Sequence, residues 1–144
     1  MSIRGNKVLS GTWGEIWVDG VPIIEFKKIE AKVSTNREDV QIGIDVDSKM
    51  TGINGEITIT INKTYSNYND VMKNYVQGKD VRSQVIAKLA DPDAVDAQQE
   101  RWSFDNVWWN DIPLFVAEKG ALIEEELTRG FTPSDAVNLD TIKR

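Results

Sequence analysis

The chain of 144 residues contains neither cysteine nor histidine. Without cysteine, disulfide bonds and thiolate chemistry are excluded. Without histidine, the commonest general base and the commonest transition-metal ligand are missing. Long apolar runs are also lacking, because no stretch approaches the ~18 apolar residues of a membrane-spanning helix and the start shows no signal-peptide core. We therefore expect a protein that stays in a cytoplasm and does not insert into a membrane.

Basic side chains are in the minority, with 17 basic against 23 acidic residues and a net charge of −6. Residues 1–75 carry 9 basic and 10 acidic side chains, whereas residues 76–144 carry 8 and 13. Tight nucleic-acid binding depends on basic groups that displace counterions, so this balance argues against it. The acidic excess fits simple solubility, and it also fits a surface that nucleic acid passes without adhering.

Two-residue alternation of apolar and polar side chains dominates the chain and predicts a mainly β protein. The length and the apolar fraction of 40% fit one domain over residues 1–144, with polar termini. Asp19-Gly20 predicts a hairpin turn. The alternating segments predict strands at about residues 15–18, 29–33, 56–62, 85–89, 101–109 and 121–131.

One helix is predicted after the third of these strands, because apolar residues recur there at helical spacing. The expected helix starts with a cap at Ser66 or Asn67 and ends at Gly78, and its apolar stripe consists of Tyr68, Val71, Met72, Tyr75 and Val76. The expected fold is a β-sandwich or partly open barrel of about seven strands, with this helix packed on its side or end.

A segment at about residues 38–55 predicts a long β-excursion, because glycines interrupt strand-like residues at Gly43, Gly52 and Gly55. Its apolar residues are too many for a solvated loop and need a partner in this domain or in a neighbouring molecule. We therefore take these residues as candidates for contacts between subunits: Ile42, Ile44, Val46, Met50 and Ile53.

No arrangement of residues predicts catalysis. The triplet Glu124-Glu125-Glu126 lies on a predicted strand, where adjacent side chains point to opposite faces and cannot converge on one substrate. Neither a G-x-G-x-x-G nor a G-x-x-x-x-G-K-[ST] phosphate loop occurs. The sequence therefore predicts a protein that is not an enzyme and has no catalytic, cofactor or metal site.

The five tryptophans leave three interpretations open, namely core packing, an interface between subunits and a platform for sugar rings. Trp102 is expected in the core with Phe104. Trp108 and Trp109 are adjacent on a predicted strand and must face opposite sides, so at least one of them should leave the core. Both are candidates for contact with another subunit.

Several short motifs follow one another in a characteristic order along the chain. The order begins with Gly-Thr-Trp-Gly-Glu-Ile-Trp-Val-Asp-Gly at residues 11–20 and the strand at residues 24–33. It continues with Gly-Ile-Asn-Gly-Glu-Ile-Thr-Ile-Thr-Ile-Asn-Lys at residues 52–63 and Leu-Ala-Asp-Pro-Asp-Ala at residues 89–94. It ends with Asp-Asn-Val-Trp-Trp-Asn-Asp-Ile-Pro-Leu at residues 105–114, the glutamate triplet and Phe131-Thr132. This order resembles the XkdM-like tail tube family of contractile phages and phage-tail-like bacteriocins.

The resemblance implies hexameric rings that stack into a hollow tube inside a contractile sheath, assembled in the cytoplasm of a bacterial host. The implied partners are further copies of the chain, the sheath, the baseplate and the tape-measure protein, with DNA only in passing. In such a tube, Asp105, Glu124 and Glu126 are candidates for facing the lumen. The alternatives are an Hcp-type secretion tube protein and a β-sandwich carbohydrate-binding module.

Overall fold

The computed structural model describes residues 4–66 and 68–143. In this part of the chain there are eight β-strands and one α-helix. They are β1 (Gly14–Val18), β2 (Val21–Pro22), β3 (Phe26–Ile42), β4 (Asp45–Asn62), α1 (Asn69–Val76), β5 (Ser83–Leu89), β6 (Glu100–Asp111), β7 (Glu124–Phe131) and β8 (Ala136–Asp140).

All strand pairs are antiparallel, and hydrogen-bonded neighbours follow the order β2-β1-β5-β6-β7-β4-β3. Strand β6 belongs to both halves of this sheet. Its first half pairs with β8, where Phe104 lies opposite Ala136, and its second half pairs with β7, where Trp108 lies opposite Gly130. The change of partner along one strand lets the sheet fold over a single core.

The core lies between the two halves of the folded sheet. Ile16 from β1, Val85 from β5 and Phe104 from β6 meet the isoleucines of β4 and Phe131 of β7. These side chains are less than 9% exposed. The fold is therefore the mainly β, partly open barrel that the alternation predicts, and the turn at Asp19-Gly20 is confirmed by left-handed φ angles of 51° and 81°.

The longest element is the hairpin of β3 and β4, which pair from Phe26 and Ile61 out to Ile42 and Asp45. The body of the protein covers only its base. Every residue from 34 to 54 is exposed except Gly52, which is half-buried. We call residues 34–54 the arm. The sequence-based expectation that glycines interrupt strand structure here is wrong for Gly52 and Gly55, which lie within β4. Only Gly43 takes a left-handed φ, of 64°, and it forms the turn.

The helix α1 covers one side of the sheet next to β6. Tyr68 occupies its N-cap position without a side-chain cap, so Ser66 is not the cap, and Asn67 lies outside the described residues. Val71, Met72 and Tyr75 are half-buried as the predicted stripe requires, whereas Val76 is 79% exposed. In the described residues, no helix has the length and apolar character to cross a membrane.

The C-terminal segment contains a strand that the alternation of apolar and polar residues does not predict. Residues Pro133–Asp135 form a single turn, and the chain then enters β8, which pairs with β6. The segment Ala136–Asp140 is short, and three of its five residues are apolar. It forms a strand because the first half of β6 offers it an edge for pairing.

Candidate assembly surfaces

The arm carries apolar side chains on both of its faces. Residues directly opposite each other on paired strands share a face. Ile53 lies opposite Thr35, Met50 opposite Arg37 and Val46 opposite Gln41, and this face continues the core-facing side of the hairpin. Ile42 lies on the other face, and Ile44 at the turn is 99% exposed. The five apolar candidates therefore belong to one projecting element, and none is covered by the described chain.

Hydrogen bonds between its own side chains organise the arm. The Arg37 guanidinium donates to Thr35 Oγ1 (3.2 Å) and Ser48 Oγ (3.3 Å). On the opposite face, Asn54 Nδ2 donates to Asn36 Oδ1 (3.1 Å). The distal part, residues 38–48, contains four acidic side chains and no basic one, namely Glu38, Asp39, Asp45 and Asp47. The end of the arm is therefore both apolar and negatively charged.

Strand β3 leaves one edge of the sheet open over its whole length. It is 17 residues long and, among the described residues, pairs only with β4. Long unpaired edges are templates for another strand, and natural proteins normally shorten, charge or cover them. The inner part of this edge alternates charged and apolar residues, and the outer part belongs to the arm.

The two adjacent tryptophans face opposite sides of the sheet. Trp109 points to the core side, where its ring meets Tyr68 edge-on at 5.7 Å and the Arg129 guanidinium lies 4.4 Å from its centroid. Trp108 lies on the outer side, half-buried, under the Arg82 guanidinium at 4.9 Å. Trp108 therefore faces the outer side and Trp109 the core side, where it also lines an open cleft, and both side chains are half-buried.

The three acidic candidates lie on the outer side of the sheet but do not form one cluster. Glu124 pairs with Lys27, and Glu126 lies opposite Thr60. Asp105 accepts a hydrogen bond from Gln84 Nε2 (2.9 Å). From the register, Asp105 and Glu126 extend in opposite directions from the Trp108–Gly130 pair, which places them roughly 23 Å apart along the strands.

Two charged residues that the sequence analysis did not single out are buried on the inner side of β7. Glu125 is 2% exposed and its Oε1 has no hydrogen-bond partner, and Arg129 is 3% exposed and its Nε has none. Arg129 Nη2 donates only a long bond to the Val107 carbonyl (3.5 Å). The signal in the sequence was parity, because both residues alternate in step with the core residues Leu127 and Phe131.

Arg129 also lines an open cleft of about 520 Å³ between β1, β2, β4 and α1. The cleft is mostly apolar, with Ile23, Ile61 and Leu127 among its walls and Tyr68 beside them. Burial lowers the pKa of Arg129 from its ordinary value. Burial, and then the negative charges of Glu125 and Glu25, raise the pKa of Tyr68 to about 12.

Within the residues that the structure describes, no three carboxylates converge as a metal site requires. The distinctive features are instead an exposed apolar arm, an open sheet edge and an apolar cleft that contains a buried guanidinium. Each of these features leaves apolar side chains or backbone polar groups uncovered within the described residues.

The same fold occurs in chains of several solved particles. A chain of the anti-feeding prophage cap, which terminates the tube, matches with a TM-score of 0.66 over 98% of this chain and 95% of that chain, at 10% identity. A chain of the PVC sheath–tube complex in the extended state matches with a TM-score of 0.60 over 97% and 100%, also at 10% identity. A chain of the virion of a native gene transfer agent matches with a TM-score of 0.53 over 92% and 98%, at 11% identity. The class is therefore the tail-tube fold.

The family follows from the sequence itself. Residues 1–138 match the family described as phage tail tube protein, and the chain belongs to that family. The uncharacterized protein YqbM of Bacillus subtilis (strain 168) is 33% identical over 79 residues. That alignment covers 54% of each protein, so the chain matches about half the length of this relative. The resemblance noted in the sequence is confirmed, and the chain is a tail tube subunit.

Proposed function

We propose that the chain is the repeating subunit of the inner tube of a contractile tail, in which copies close into hexameric rings and the rings stack around a lumen. The arm provides the most direct support for this proposal. It holds five apolar side chains that are 46–99% exposed, and a monomer in water gains nothing from presenting them. A second copy that covers them would recover that apolar area.

The open edge of β3 supports ring closure in the same way. A head-to-tail contact is heterologous, so it forms rings when the rotation closes and open stacks when it does not. A tube uses both outcomes, with closure around the axis and open growth along it. Pairing the β3 edge with a neighbouring copy would remove the longest exposed edge of the sheet.

The proposed partners follow from this role. They are further copies of the chain, the sheath around the tube, and the baseplate and tape-measure proteins at its ends and in its lumen. Among proteins of this fold, one comes from a sheath–tube complex and another from the baseplate of the anti-feeding prophage. We place assembly in the bacterial host cytoplasm and the final tube in a virion or a tail-like particle, with DNA or another cargo only passing through.

Electron microscopy of an arm-trimmed variant tests the proposal. Replacing residues 35–53 with Asn-Gly joins Ser34 to Asn54, which already lie opposite each other, through a two-residue turn suited to a hairpin. The shortened hairpin keeps the whole buried base, so we expect unchanged circular dichroism and cooperative unfolding. At a concentration where the full-length protein forms hollow tubes, the trimmed variant should form none.

The matched control replaces the arm residues Glu38 and Lys49, which lie opposite each other, with each other's identity. The E38K/K49E variant keeps the length, the charge and the apolar residues of the arm, and it should form normal tubes. Normal tubes from the trimmed variant would contradict the proposed role of the arm. A full-length protein that stays a monomer at every concentration would contradict the proposed function.

A further inference from the structure

The cleft and the end of the arm lie at opposite ends of the same two strands. The cleft is bordered by Ile24, just before β3 begins, and by Ile61 near the end of β4. The turn at Ile44 joins the other ends of β3 and β4. Because β3 spans 17 residues at ~3.3 Å each, roughly 55 Å separate the two sites. The arm of a molecule therefore points away from its own cleft and cannot reach it.

The two sites have matching apolar chemistry. The cleft has a volume of about 520 Å³, far more than the ~30 Å³ share of one water molecule, so it has room for several side chains. Its walls are mainly aliphatic and aromatic, and Ile24 at its border is 88% exposed. At the turn of the arm, Ile44 is 99% exposed and Ile42 is 60% exposed. Each site leaves apolar surface in water that the other would cover.

Their polar groups also match. Arg129 lines the cleft with an unpartnered Nε and, among the described residues, no carboxylate within 4 Å of its guanidinium. A buried guanidinium is stabilised by a carboxylate that enters with it. Asp45 follows Ile44 directly at the end of the arm. Glu25 lines the same cleft and repels an incoming carboxylate, so the pairing requires Asp45 to lie closer to Arg129 than to Glu25.

From these observations we infer that the end of the arm of one copy docks into the cleft of the next copy, with Ile44 among the apolar walls and Asp45 paired with Arg129. The inference rests on the proposed stacking function and names the surface that receives the arm. The occupant is a second copy of this chain, because sites at opposite ends of one molecule join naturally when identical molecules stack head to tail. Each copy then gives one arm and receives one.

Cysteine cross-linking tests the contact, and the absence of native cysteine keeps the experiment free of background. The Ile24→Cys/Ile44→Cys variant is assembled under reducing conditions, checked for tubes by electron microscopy and then mildly oxidised. We expect a ladder of covalent multimers on a non-reducing gel, which a reductant collapses to monomer. The ladder distinguishes head-to-tail contact from contact between two arms, because cross-links between identical sites stop at dimers.

The matched control is Ile44→Cys/Val137→Cys, since Val137 is 47% exposed but lies on β8, away from the cleft. It should give no ladder. Tubes without a ladder from the Ile24→Cys/Ile44→Cys variant, or dimers from Ile44→Cys alone, would overturn the inference and leave the proposed function intact. A wild-type protein without tubes would overturn both.

If the introduced cysteines themselves prevent assembly, a charge variant tests whether the arm docks in the cleft. Asp45→Asn removes the carboxylate that would pair with Arg129. The control Asp93→Asn removes a carboxylate from the exposed turn before β6 and changes the net charge by the same amount. We expect Asp45→Asn to raise the concentration at which tubes appear several-fold and Asp93→Asn to leave it unchanged. Equal assembly of the two variants would overturn the pairing with Arg129.

Discussion

The Tyr75 hydroxyl on helix α1 accepts a hydrogen bond from the backbone N–H of Trp109 on strand β6, with 3.2 Å between oxygen and nitrogen. The same hydroxyl donates to the carbonyl of Val81 at 2.8 Å. Strand β5 pairs with β6 only as far as Val107, so the helix supplies a partner where the neighbouring strand has ended. The helix therefore closes a gap in the edge of the sheet as well as covering its side.

Tyr75→Phe should lower the free energy of unfolding by about 1–3 kcal/mol, because it leaves the Trp109 N–H and the Val81 carbonyl without this partner. Urea unfolding followed by tryptophan fluorescence measures the change. Tyr65→Phe, at a tyrosine that is 64% exposed, is the control and should have little effect. Equal stability of the two variants would show that the hydroxyl of Tyr75 does not support the edge.

Tyr68 makes stability depend on pH in the alkaline range. Its pKa is about 12 in the folded protein against an ordinary 10.0, mainly because of burial and also because of Glu125 and Glu25. The folded state therefore keeps a proton that the unfolded state loses, so this contribution to stability is full below pH 10 and falls as the pH rises towards 12. The slope reaches at most about 1.4 kcal/mol per pH unit for one group.

Urea unfolding at pH values from roughly 9 to 11.5, where this fall in stability begins, tests the prediction for Tyr68. The Tyr68→Phe variant should lose stability less steeply with pH than the wild type, and Tyr65→Phe should keep the wild-type slope. Identical slopes for wild type and Tyr68→Phe would contradict the folded-state pKa of Tyr68.

Gly55 has no side chain because Phe131 occupies the space. A Cβ at position 55 would lie 2.5 Å from the Phe131 ring and 2.6 Å from its carbonyl oxygen, which is backbone and cannot turn away. Gly55→Ala should therefore destabilise the fold by about 1–3 kcal/mol through overpacking. Gly52→Ala is the control on the same strand, since its nearest contact is 3.6 Å away. Thermal unfolding of both variants gives the comparison, and a stable Gly55→Ala variant would contradict this packing.

The acidic outer side of the sheet yields a prediction for assembled tubes. If Asp105, Glu124 and Glu126 face the lumen, the D105N/E124Q/E126Q tubes should retain more DNA at low salt than wild-type tubes, because fewer negative charges repel phosphate. The control D93N/D96N/E118Q removes the same number of charges elsewhere. DNA retention in a salt series measures the effect. Equal DNA retention by both variants would contradict the hypothesis that these three residues face the lumen.

Local sequence patterns predicted much of the sheet, because a strand with one buried face leaves a period of two. The isoleucines of β4 show it most clearly, since Ile57, Ile59 and Ile61 are all buried. No sequence pattern predicts strand β8, because its few residues alternate weakly and follow a polar turn. Its strand state depends on the edge that β6 offers, which no local pattern records.

The arm and the cleft show what the sequence could and could not predict about the site. The exposed apolar residues of the arm appear in the sequence as an excess of isoleucine and valine around Gly43. The glycine pattern predicts an interruption of the strand at Gly55, whereas in the structure this residue makes room for Phe131, 76 positions later. Alternation alone does not mark Arg129 as a buried residue, because a charged residue in a strand is ordinarily solvated and only the folded core reveals its burial.

Amide hydrogen exchange of the arm, measured by mass spectrometry in dilute monomer and in assembled tubes, tests most directly whether a neighbouring copy covers it. In the monomer, peptides from residues 34–54 should exchange quickly compared with those of the buried part of β4. In tubes, the arm and the border of the cleft at residues 21–25 should both become protected relative to the monomer. An arm that exchanges as fast in tubes as in the monomer would contradict the account.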